Sequence, residues 1–113
     1  MSLPLSSRSR LFKQLLQWLL VGTRGGVKRA QIIEAIKEEP RNANQLASLL
    51  RVDYRTIRHH LEVLEKNNLI TSMGEQYGKM YFLSNELDEN FTIFKEIWNE
   101  IGKKLKRREI GSE

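Results

Sequence analysis

The stretch DYRTIRHHLEVLEKNNLI, residues 53–70, places Ile57, Leu61 and Leu64 at i, i+4 and i+7, the spacing of one apolar side of an α-helix. At about 100° per residue, Arg55, His59, Glu62 and Lys66 fall on the opposite side, with Arg58 on one flank and Thr56 on the other. Asp53 suits a helix N-cap, because its carboxylate can accept from first-turn amides. Asn67 and Asn68 suit the other end, since asparagine tolerates left-handed backbone. One side of this helix is therefore made for packing, and the other is polar and net positive in its N-terminal half.

Upstream, Asn42 and Gln45 have the spacing of a capping box, and QLASLL carries Leu46, Ala47, Leu49 and Leu50 as a short amphipathic helix. Downstream the period changes. LITSM and MYFLS read as two short strands joined by a glycine-bearing hairpin loop, GEQYGK. Before this block, a helix over about 27–38 buries Ala30, Ile32, Ile33 and Ile36 and ends before Pro40, which restricts the residue preceding it. The glycines of GTRGG, residues 22–26, mark a turn; they match neither a dinucleotide fingerprint nor a P-loop, and no strand precedes them.

Two outer helices complete the pattern. The first covers about 8–21, with Leu11, Phe12, Leu15, Leu16, Leu19 and Leu20 in pairs four apart. The last covers about 85–108, with Phe91, Phe94, Ile97, Trp98, Ile101 and Leu105 along one stripe. Both carry more apolar surface than a small core absorbs, which leaves a patch for a partner. The aromatics are also read as core or, less readily, as the lining of a small-molecule pocket.

The 113 residues fit one domain, with the helices at 8–21 and 85–108 flanking a core over 27–84. Nineteen Lys and Arg against fourteen Asp and Glu give a net charge of +5, which favours an anionic partner. No cysteine is present, so disulfides and thiolate metal sites are excluded. LFKQLLQWLLV is too short and too polar to cross a bilayer and lacks a signal-peptide cleavage site, so a cytoplasmic protein without membrane contact is expected. No nucleophile and base pair, paired-carboxylate motif or metal-ligand spacing occurs, so an enzyme is not expected and no cofactor is assigned.

A short helix, a tight turn and a second helix with a polar face form a helix-turn-helix, whose second helix enters the DNA major groove. Arg55 and Arg58 can each offer a bidentate fork to guanine, and Tyr54, Thr56 and His59 can reach bases or phosphates. His60 lies nearer the apolar side and is read as packing or bonded to backbone, with DNA contact as the alternative. The basic KKLKRR near the C-terminus reads as a solvated helix end or an added backbone contact.

NQLASLLRVDYRTIRHHLEVLEKNNLI followed by YGKMYFLS resembles the winged helix-turn-helix of ArsR-type transcriptional regulators, particularly archaeal ones. The similarity spans 27–84 well and the flanking helices only by pattern. It implies a mainly α fold with a small β-hairpin wing, and a homodimer on double-stranded DNA. The recognition helix, about 53–67, would lie in the major groove, and the wing, about 74–79, on the backbone or minor groove. Base or phosphate contact is carried onto Tyr54, Arg55, Thr56, Arg58 and His59, wing contact onto Tyr77 and Lys79, and a phosphate contact onto Arg51, where many relatives have glycine. Leu15, Leu19, Phe94, Trp98, Ile101 and Leu105 are the expected dimer interface. Many relatives sense metals, but with no cysteine and two adjacent histidines that point about 100° apart, metal sensing is not expected here. The operator, the sign of regulation and any effector stay open, as do a protein-interaction winged helix and a non-specific, chromatin-type DNA binder.

Overall fold

The computed structural model describes residues 5–111, with side chains over 8–76 and 78–106. In chain order the elements are α1 (Leu5–Leu20), α2 (Gly26–Glu38), β1 (Arg41–Asn42), α3 (Ala43–Leu50), α4 (Tyr54–Lys66), β2 (Ile70–Met73), β3 (Met80–Leu83), α5 (Asn85–Glu89) and α6 (Phe91–Gly111). They group into two compact units: Lys28–Glu89, and the flanks up to Val27 and from Asn90 onward. No helix among the described residues is long and apolar enough to cross a membrane.

In the central unit the expected stripes are buried: Ala30, Ile32, Ile33 and Ile36 from α2, Leu46 from α3, and Ile57, Leu61 and Leu64 from α4. The capping box before α3 is complete, with Gln45 N donating to Asn42 Oδ1 at 2.8 Å and Asn42 N donating to Gln45 Oε1 at 2.9 Å. Leu49, however, is exposed. A helix of two turns has room for one buried edge, and Leu46 occupies it.

The sheet has three strands, in the order β1-β3-β2, where the sequence predicts two. β1 pairs antiparallel with β3, Arg41 opposite Tyr81 and Asn42 opposite Met80. Two residues are too few to show a period of two, so the strand leaves no sequence signal. Arg41 also holds the end of α2, donating from Nε to Ala35 O at 3.1 Å.

In the flanking unit α1 packs along α6. Phe12, Leu16, Leu19 and Leu20 are buried, as are Phe94, Ile97 and Ile101, and the Phe91 and Phe94 rings meet edge to face at 4.9 Å. The single final helix expected over 85–108 is instead two. Ser84 caps α5 through its hydroxyl, which accepts from Leu87 N at 3.1 Å; the chain turns at Asn90, and α6 starts afresh. Asparagine weakens a helix interior because its side chain competes for backbone groups. The long amphipathic period on both sides hides that break from sequence reading.

The turn at residues 21–25 brings Gly26, the first residue of α2, against the end of α1. A Cβ at Gly26 would lie 2.0 Å from the carbonyl oxygen of Leu20. Backbone cannot yield to that contact without moving the turn. Gly26→Ala is therefore expected to lower stability by about 2 kcal/mol or more, read as a fall in the urea midpoint; an unchanged midpoint would show that this close approach is dispensable.

Candidate nucleic-acid interface

The polar side of α4 begins at its N-cap. Asp53 accepts from Thr56 N at 2.9 Å and from the Thr56 hydroxyl at 2.7 Å, and these two bonds hold its carboxyl below the usual carboxylate range. Tyr54, Arg55 and His59 are exposed on the side away from the buried Ile57, Leu61 and Leu64. Thr56 and Arg58 are half-buried on the flanks. Because the Thr56 hydroxyl donates to Asp53, its oxygen is left as an acceptor, suited to an amino group rather than a phosphate.

Arg51 ends α3 in the left-handed region, φ 55° and ψ 46°, while its N–H donates to Ala47 O. Such a conformation costs a non-glycine residue roughly 1–2 kcal/mol, so keeping arginine at this exposed position accords with a role for its charge. Asn68, at φ 59°, provides the left-handed residue expected beyond α4.

In the wing, Gly74 adopts φ 100° and a short 3-10 turn covers Gln76–Gly78. Lys79 is half-buried. The side chain of Tyr77 lies outside the described residues. Met73, at the wing end of β2, is 69% exposed, an apolar side chain that sequence reading did not single out. Tyr81 was also missed as a site residue; the sequence places it only in the strand MYFLS, yet its hydroxyl accepts from Arg58 Nη1 at 3.5 Å.

The six expected interface residues divide. Leu19, Phe94 and Ile101 are buried by the chain itself, Leu15 and Trp98 are half-buried, and Leu105 is exposed. Among the described residues, the large apolar side chains exposed on the flanking unit are Leu11, Trp18, Val21 and Leu105, with Trp18 58% exposed. Among the described residues no group of three or more His, Cys, Asp or Glu side chains is placed to hold a metal ion.

Behind α4 lies a buried basic pair. Arg29, 4% exposed, and His60, 6% exposed, approach to 3.4 Å between Nη1 and Nδ1. Arginine can only donate, so His60 Nδ1 accepts and the ring proton sits on Nε2. Burial lowers the His60 pKa below 6.5, and the positive charge of Arg29 and of His59 lowers it further. Arg29 is likewise lowered by burial. Thus His60 is packed, as the sequence suggests, but against a cation rather than backbone.

The sign of the resulting pH dependence follows from linkage. As pH falls through 6.5 the unfolded chain takes up a proton at His60 that the folded chain resists, so stability is full above that value and declines below it. The urea midpoint should drop between pH 7.5 and pH 5.5 and drop less in His60→Gln, whose amide keeps an acceptor for Arg29. Equal pH slopes in both proteins would remove His60 as the cause.

Residues 26–72 match the family model described as bacterial regulatory protein, arsR family. No curated protein matches the sequence. The fold is similar to that of the transcriptional regulator BldR from Sulfolobus solfataricus, at TM-score 0.63 and 15% identity over 88% of this chain and 75% of that one. It is similar also to a homodimeric winged helix-turn-helix DNA-binding domain from Mycobacterium bovis, described as a possible ArsR-family regulator, at TM-score 0.62 and 15% identity over 88% and 91%. Reduced HlyU from Vibrio cholerae aligns at TM-score 0.58 and 17% identity over 81% and 88%. The chain thus has a winged-helix fold, and its residues 26–72 are similar to the helix-turn-helix of the arsR family.

Proposed function

We propose that this protein is a sequence-specific, DNA-binding transcriptional regulator that acts as a homodimer, with α4 in the major groove and the wing at 74–79 on the backbone or minor groove. The observation that carries the reading is the exposed N-terminal side of α4, where Tyr54, Arg55 and His59 stand opposite the buried stripe, inside the segment that matches the arsR family. Arg55 and Arg58 are assigned to base edges, Arg51 and Lys79 to phosphates, and Thr56 to a base amino group. No catalytic role is assigned to any residue.

The dimer is assigned to the flanking unit. Leu11 and Trp18 stand seven positions apart and so lie on one side of α1, with Val21 three further on. Exposed apolar side chains grouped in this way suit a second copy of the chain. The M. bovis domain of the same fold is a homodimer, which supports the assignment.

Selection from a random duplex pool tests the DNA reading. An inverted repeat with half-sites about 34–36 Å apart, bound about 10³-fold more tightly than scrambled duplex, is the expected result, and Arg55→Ala with Arg58→Ala should remove most of that preference. No binding at low salt would favour a protein-interaction module. Weak enrichment with steep salt dependence would mean a non-specific binder. For the dimer, Trp18→Glu should turn a dimer into a folded monomer in sedimentation; a dimer that survives the change would place the interface elsewhere.

A further inference from the structure

The wing touches the recognition helix through polar groups at two places. Ser72 on β2 donates from its hydroxyl to Glu65 Oε2 at 2.6 Å, and Tyr81 on β3 accepts from Arg58 Nη1 at 3.5 Å. Ser72 and Tyr81 are direct cross-strand partners. Arg58 and Glu65 are seven residues apart, so they lie two turns apart on the same flank of α4. A single rung of the wing sheet therefore grips α4 at two points along one line, which resists rotation of the helix about its axis.

The Tyr81 end of the grip bears on recognition. Tyr81 is 3% exposed, and burial raises its phenol above the ordinary value while Arg58 acts in the opposite sense. The hydroxyl is thus neutral and available to accept. Packing alone does not require it, because a phenylalanine ring would fill the same space. A guanidinium held through Nη1 still presents the donor pair Nε–H and Nη2–H along another edge, the fork that matches guanine O6 and N7. Arginine also has much rotamer freedom to lose on binding, and anchoring it beforehand lowers that loss.

We propose that Tyr81 is a positioning residue for base readout: its hydroxyl fixes Arg58 on the wing-facing flank of α4, so that the Nε–Nη2 edge is set for a guanine in the major groove. The wing then acts on specificity from behind the helix, in addition to any contact of its own with DNA. This rests on α4 being the reading helix, as proposed above.

The test is a double-mutant cycle read on two duplexes, the selected site and a scrambled one, with wild type, Tyr81→Phe, Arg58→Ala and the double variant, each checked for folding by circular dichroism. Tyr81→Phe is expected to weaken binding to the selected site about three- to tenfold, as the loss of one hydrogen bond entails. It should leave the scrambled duplex within about twofold and add no loss in the Arg58→Ala background. A merely structural tyrosine would weaken both duplexes alike and would do so with or without Arg58; either result, or no change on the selected site, overturns the proposal. Wild-type protein that does not distinguish the duplexes would instead refute α4 as the reading helix, and the role of Tyr81 with it.

Discussion

The seating of one helix, α4, decides which polar side chains the central unit exposes along it. Ile57, Leu61 and Leu64 of α4 are almost wholly shielded from water, and burying three such side chains contributes on the order of 5–9 kcal/mol. No other rotation of α4 buries the same three residues, so the stripe dictates which side chains remain outside. Tyr54, Arg55 and His59 are exposed because Ile57 and Leu61 are not. The polar side of α4 is in this sense the complement of the core.

The helix is then fixed at its ends and along one flank by hydrogen bonds. Asp53 ties the first turn through Thr56, and Asn67 donates from its side chain to Val63 O at 2.8 Å in the last. Ser72 and Tyr81 hold the side toward the wing. On the inner side the Arg29–His60 pair stands where an apolar contact would be the simpler choice. Neither α3 nor β2 contains an ionisable residue, and the other charged residues of α2 in the central unit are half-buried Lys28 and exposed Glu34, Lys37 and Glu38. Burial and the neighbouring Arg29 therefore both oppose protonation of the one imidazole on the inner side of α4.

Periodicity made the helices of the central unit legible, because a stripe at i, i+4 and i+7 is a direct record of what is buried. The capping residues Asn42, Asp53 and Asn68 were legible for the same kind of reason, each serving a local backbone need within three residues. What stayed hidden depends on partners distant in sequence. β1 exists because β3 is there to pair with it. The break between α5 and α6 interrupts a pattern that is apolar on both sides. Leu19 and Phe94 look like surface for a partner until α1 and α6 are seen to bury them, whereas Trp18, on the open side of the same helix, has no different spacing. Tyr81 reads only as part of a wing strand; the structure buries it, and the position of its hydroxyl reveals the link to Arg58.

The most direct measurement is the change in backbone amide signals as a selected duplex is titrated into isotope-labelled protein. The largest changes should fall on residues 51–59, with a second group at 74–79, and the flanking helices should respond weakly. Changes concentrated on α1 and α6, with 51–59 unmoved, would contradict a reading helix at α4.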